Sequence, residues 1–165
     1  MRSVLRIVLV AVALVSVSAC RQADGPVPTP SAETQEELVD VARDLQYVAS
    51  GSDPEAPQYL VADLRKYARR ASARPAVEEL AQLTSAAVSG IDLGEQDAQR
   101  LTHNLWLSIA AREISERQVE GLQSDMQSLL LSVGAPQDRA ALVAAHVAEV
   151  QRAVSDRPRR WYELF

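Results

Sequence analysis

The spacing of apolar residues between positions 34 and 156 constrains the fold most, because it follows the period of an α-helix throughout. In the first helical segment, the apolar residues form one stripe: Leu38, Val41, Ala42, Leu45, Val48 and Ala49. No segment alternates apolar and polar residues over the length of a strand. The pattern predicts an all-α fold for residues 34–156, with about five or six antiparallel helices of roughly fourteen to twenty residues each in one bundle.

Local signals predict the helix ends. A capping residue followed three positions later by Glu or Gln is typical of a helix start. Such pairs precede four helices: Thr34 with Glu37, Ser52 with Glu55, Asp92 with Glu95, and Ser115 with Gln118. Ile114 and Val119 flank the last pair as a hydrophobic staple. This favours a bend there, and one continuous helix from Glu95 to Val133 is the alternative.

The first nineteen residues have the pattern of an export signal. Two arginines lie within residues 1–6, an apolar run follows over residues 7–17, and small residues come next. The apolar run of about eleven residues would be roughly 17 Å long as a helix, about half of a bilayer core. We therefore expect residues 1–19 to be removed as a signal peptide rather than to stay as a transmembrane helix.

The single cysteine of the chain follows directly, in the sequence Val17-Ser18-Ala19-Cys20. This tetrapeptide resembles the lipobox of bacterial lipoproteins, in which an aliphatic residue and two small ones precede an invariant cysteine. The resemblance covers residues 1–20 and implies that signal peptidase II cleaves before Cys20, which carries diacylglycerol and an acylated amino terminus. Several acyl chains are what stable membrane anchoring requires. The alternative is an ordinary secreted protein with an unpaired cysteine.

The residue after Cys20 bears on location. In lipoproteins of enterobacterial type, Asp at this position favours the inner membrane, whereas this chain has Arg21. The resemblance therefore implies the outer membrane, facing the periplasm, if the organism has one. Residues 20–33 are rich in proline and poor in large apolar side chains, which predicts an extended tether of about 40 Å.

Net charge argues against a nucleic-acid partner. The whole chain has a formal net charge of −5, and removal of residues 1–19 takes away Arg2 and Arg6 but no acidic residue, which makes the charge −7. An acidic domain repels phosphate backbones. The expected partners are the membrane, through lipidated Cys20, and an envelope protein.

Motifs for catalysis or cofactor binding are not found. His103 and His146 lie on different predicted helices, and neither has a second histidine three or four positions further along its helix, so no metal site is predicted. The mixed charges of residues 112–120 are typical of a solvated helix face. The chain has no G-x-S-x-G sequence and no glycine-rich phosphate loop. We therefore predict no catalytic residues, no cofactor and no enzymatic activity.

Residues 157–165, here called the C-terminal tail, are unusually rich in arginine and aromatic residues for a chain with 4% aromatic residues. Such enrichment is typical of interaction hot spots. The candidate partner-binding residues are Arg159, Arg160, Trp161, Tyr162 and Phe165. Contact with anionic lipid is an alternative, and so is packing of the tail's apolar residues on the bundle.

These patterns together predict a lipid-anchored protein of the cell envelope that acts by non-covalent interaction, as a structural or accessory subunit. The sequence Ile114-Ser115-Glu116-Arg117-Gln118 also resembles a degenerate Leu-Thr-x-x-Gln box of Spy-like periplasmic helical chaperones and stress sensors. A chaperone, or a stress or metal sensor, of that type is the alternative function. It predicts a concave, partly apolar surface on the bundle.

Overall fold

The computed structural model describes residues 27–155. These residues form six α-helices and one 3₁₀ turn (Ala71–Ala73), with no strand among them, so the predicted all-α bundle is confirmed. The helices are α1 (Ala32–Ser50), α2 (Ala56–Tyr67), α3 (Arg74–Val88), α4 (Glu95–Ala110), α5 (Glu116–Ser132) and α6 (Gln137–Val154). No helix in this part of the chain is both long enough and apolar enough to cross a bilayer.

The apolar stripes read from the sequence form the core. All six predicted stripe residues of α1 are buried, and so are Val143, Val147, Val150 and Val154 of α6. The largest side chains that are almost completely buried are Leu45, Leu60, Leu64, Leu80, Leu101, Leu105, Ile109, Met126 and Leu130. Since every helix carries apolar residues on one face, each is stabilised mainly by packing against its neighbours.

Side-chain to backbone hydrogen bonds show how the helices are arranged. Near the start of α3, Ala76 O lies 2.8 Å from His146 Nε2 in the middle of α6, whereas near its end the carbonyl of Ala86 accepts a hydrogen bond from Arg139 at the start of α6. The two helices are therefore antiparallel. The ends of α1 and α3 lie side by side, because the amide of Gly90 donates to Ala49 O at 2.9 Å.

Several predicted helix starts are wrong by a few residues. The N-cap of α1 is Ser31, whose hydroxyl accepts from the amide of Thr34, so the helix begins before the predicted Thr34–Glu37 pair and takes residues 32 and 33 from the predicted tether. Glu55 caps α2 without a side-chain bond. Gly94, with no side chain to accept a bond, occupies the N-cap of α4 in place of Asp92. At 12 residues, α2 is also shorter than predicted.

The predicted start of α5 is confirmed. The Ser115 hydroxyl accepts from the amide of Gln118 at 3.2 Å, and the Gln118 side chain accepts from the amide of Ser115 at 2.7 Å. This reciprocal capping box satisfies two amides that the helix cannot. As a result, α4 and α5 are separate helices joined by residues 111–115, as the favoured bend predicts, and not one continuous helix.

Candidate functional site

A concave apolar surface lies between α4 and α5. Its volume is about 190 Å³. We call it the α4–α5 groove and define it by the residues that line it: Val27, Asn104, Leu107, Ala111, Ile114, Gln118, Gly121, Leu122 and Asp125. Most of these side chains are apolar, and the lining contains one carboxylate and no basic residue. An open apolar surface with a few polar groups in its lining is a candidate binding site for a ligand or a peptide segment.

The groove lies between two helices that are joined by a short connection, residues 111–115. The capping box starts α5 directly after this connection. Gly121 is an exposed residue of the groove lining, and a Cβ atom added to it would meet nothing within 4 Å. Glycine in a helix interior costs about 0.5–1 kcal/mol relative to alanine. The chain thus gives up some helix stability at a position that faces the groove.

Both ends of the described chain lie next to the groove. Val27, the first described residue, is part of its lining. At the other end, the Ser155 hydroxyl donates to the carbonyl of Arg112 at 3.3 Å, and Ala111 and Ile114 on either side of Arg112 line the groove. The amino-terminal and carboxy-terminal flanking segments therefore both leave the bundle close to this surface.

The residues predicted to carry function lie beyond both ends of the described chain. Cys20, the predicted lipidation site, belongs to residues 1–26, and Arg159, Arg160, Trp161, Tyr162 and Phe165 belong to residues 156–165. Their predicted roles stay predictions. The structure adds the position of the chain at residues 27 and 155, from which both segments extend.

The two histidines lie in different surroundings. His103 is exposed on α4, with its ring centroid 5.9 Å from that of Trp106. His146 is half-buried on α6, where Nε2 lies 2.8 Å from Ala76 O and 3.9 Å from a carboxylate oxygen of Glu79. Within residues 27–155, no group of three or more His, Cys, Asp or Glu side chains is placed to hold a metal ion.

Acidic side chains gather where α1 meets α2. Burial, together with the nearby carboxylates of Asp63 and Asp40, raises the pKa of Asp44 to about 6, although Arg43 acts in the opposite direction. Arg43 itself pairs with Asp40 at 2.8 Å. Burial is the largest cause of this shift, so ionisation of Asp44 disfavours the folded state near neutral pH.

The charged residues around the start of α5 are largely solvated, as predicted. Glu113, Glu116, Arg117 and Glu120 are exposed, whereas Arg112 is half-buried. Among these helices, the charged residue that lines the groove is Asp125.

The sequence could not predict the groove, because its shape depends on the angle between two helices. One local signal pointed toward it, namely a glycine inside an otherwise regular helix. Comparison with known proteins supplies no further guide: no protein-family model, no curated protein and no solved structure matches the chain.

Proposed function

We propose that the chain is a lipid-anchored protein of the cell envelope that acts by non-covalent interaction, as a structural or accessory subunit. The observation that carries this proposal is the position of the one cysteine, at the end of an export signal and within a lipobox-like tetrapeptide. The proline-rich residues that precede α1, from residue 20 to residue 31, then serve as a tether. The preferred location is the outer membrane, facing the periplasm, in an organism that has one.

The bundle supports a role in binding. Its described surface offers an apolar groove rather than a cluster of reactive or metal-binding side chains. The C-terminal tail supplies arginine and aromatic residues, which contribute strongly to many protein interfaces. We therefore assign partner binding to this tail, with an envelope protein as the partner.

Replacement of the cysteine tests the anchor. Cells that express the parent chain, Cys20→Ala or the control Ser16→Ala are fed a labelled fatty acid and then fractionated. Ser16→Ala changes the apolar run but leaves the lipobox-like residues intact. We expect label and membrane retention in the parent and the control, and loss of both in Cys20→Ala. If Cys20→Ala stays membrane-bound with unchanged processing, the anchor proposal is wrong.

Affinity capture tests the binding role of the tail. The parent chain and a variant lacking residues 158–165 are cross-linked in intact cells, and the captured envelope proteins are compared. We expect the truncation to remove a specific partner while the protein stays in the membrane. An identical set of captured proteins would exclude the tail as the docking segment.

The second candidate is a helical chaperone or sensor of the Spy-like type, and the concave apolar groove is the observation that favours it. The motif Ile114–Gln118 supports it less, because Ser115 and Gln118 form the capping box and so have a structural role. Suppression of aggregation of an unfolded client protein by the purified chain would support the chaperone. No suppression at excess chain would exclude it.

A further inference from the structure

We propose that the C-terminal tail docks in the α4–α5 groove of its own chain, with Trp161 in the apolar part and Arg159 and Arg160 beside Asp125. This goes beyond the proposed anchoring and holds whether or not Cys20 is lipidated. Four observations carry it: where the chain leaves the bundle, how far the tail reaches, what the groove can hold, and the charge at its rim.

The last described residue is held at the end of the groove. Ser155 donates its hydroxyl to Arg112 O at 3.3 Å, and its own carbonyl accepts from Arg70 Nη1 at 3.1 Å. Since Ala111 and Ile114 line the groove on either side of Arg112, the tail starts next to the surface that it would occupy.

The reach of the tail matches the size of the groove. Along α4 and its C-cap, the lining extends from Asn104 to Ala111, about 10 Å along the helix axis. Trp161 is the sixth residue after Ser155, so an extended chain carries it up to about 20 Å. Every part of the groove is therefore within reach of Trp161, without any rearrangement of the helices.

The groove has room for an aromatic ring. Its volume is about 190 Å³, and an apolar cavity of roughly 150 Å³ is sufficient to bind benzene. Leu107, Ile114 and Leu122 provide the apolar contacts. Residues 21–26, which precede Val27 at the same groove, have no large apolar side chain and are a poorer match.

Charge favours the same occupant. The tail carries three arginines in nine residues, whereas the groove has Asp125 and no basic side chain. An arginine of the tail can therefore pair with Asp125 while the aromatic residues of the tail gain apolar contacts in the groove.

The docked tail would compete with a partner. The residues that fill the groove are those proposed to bind an envelope protein, so the partner must draw the tail out of the groove before it can bind. The groove is then filled in the free protein and empty in the partner-bound state. Because the docked tail is not free to bind the partner, the tail acts as an autoinhibitory segment.

Tryptophan fluorescence tests the docking on the full chain purified from membranes in detergent. The chain has two tryptophans, and Trp106→Phe leaves Trp161 as the only emitter. Gly121→Leu adds a large side chain to the groove lining, at a position where a Cβ atom meets nothing within 4 Å. Gly121→Ala is the matched control, because it raises helix propensity but adds only one methyl group.

We expect the Trp161 emission of the Trp106→Phe chain to lie at short wavelength and to resist quenching by iodide. Gly121→Leu should shift the emission to longer wavelength and expose it to iodide, whereas Gly121→Ala should leave both unchanged. If Trp161 is exposed to iodide in the Trp106→Phe chain, the proposal is wrong. If Trp161 is shielded but Gly121→Leu does not change its emission or quenching, the proposal is also wrong, and the shielding comes from a source other than the groove, such as detergent.

A fluorine label covers the case in which Trp106→Phe fails to fold. The chain is grown with 5-fluorotryptophan, the resonance of residue 161 is identified by Trp161→Phe, and Gly121→Leu should move that resonance toward the solvent-exposed position. An unmoved resonance contradicts docking. Shielding that disappears on dilution would show that the tail occupies the groove of a second copy, which overturns docking within one chain.

Discussion

Gln151 of α6 donates a hydrogen bond to the last turn of α4, and replacement of Gln151 gives the sharpest stability prediction. The side chain is 5% exposed, and its Nε2 donates to Ser108 O at 2.6 Å. Ser108 lies in the last turn of α4, where carbonyls lack an amide four residues further on in the same helix. Gln151 therefore satisfies a buried carbonyl that the helix leaves open.

Gln151→Leu keeps the approximate volume of the side chain but removes the donor. A buried carbonyl without a partner costs about 1–3 kcal/mol, so the free energy of unfolding should fall by about 2 kcal/mol. In a bundle of this size, each kcal/mol of lost stability lowers Tm by roughly 3–5 °C. Urea denaturation followed by circular dichroism at the helix band measures the loss.

Gln123→Leu is the matched control. Gln123 Nε2 donates to Ala144 O at 3.0 Å. Because Ala144 lies inside α6, its carbonyl keeps the amide of Ala148 as a partner after the substitution. We expect a loss of only about 0.5–1 kcal/mol for this variant. Equal losses for the two variants, or no loss for Gln151→Leu, would refute the conclusion that Gln151 satisfies a carbonyl that α4 leaves open.

Two further predictions concern a carboxyl with a raised pKa, Asp44, and a buried hydroxyl, Thr102. Because the folded-state pKa of Asp44 is raised from 3.8 to about 6, folding favours its protonated form, and the stability gained at low pH is lost as the pH rises through about 6. Asp44→Asn should abolish this decline. After allowance for solvent around the carboxyl, it should stabilise the chain by about 1 kcal/mol at pH 7. Unfolding curves of the variant between pH 4 and 8 that match those of the parent would contradict this prediction. Among residues 27–155, Thr102 Oγ1 is the one buried side-chain polar atom without a hydrogen bond, so Thr102→Val should raise the free energy of unfolding by about 1 kcal/mol. Thr84→Val should not, since Thr84 Oγ1 donates to Leu80 O at 2.8 Å, and thermal melts that show equal effects would refute the distinction.

The core could be predicted from the sequence, because apolar periodicity directly reports which side of a helix is buried. The helix starts were less predictable where two signals compete. Ser31 and Thr34 are both good caps, and the chain uses the earlier one, whose hydroxyl bonds both the amide and the side chain of Thr34. Ser115 and Gln118 had no comparable rival, and their capping box formed as predicted.

The candidate site was beyond prediction for a different reason. The groove depends on how α4 and α5 pack and on the position of Val27 beside them, and these are tertiary relations that no local spacing encodes. Gly121 was visible in the sequence, but a single helical glycine does not reveal which surface it faces. The arginine-rich tail was equally visible, and its reach to the groove follows only from the position of Ser155.

The closeness of Val27 and Ser155 to one groove has a mechanical consequence. A chain held at residue 27 and pulled at residue 155 experiences force at two neighbouring points on one side of the bundle. Such a load does not stretch the core along its helices. It peels α1 and α6 away from their neighbours one turn at a time, and the bundle would yield to a steady pull at a lower force than it would if its two ends lay at opposite poles.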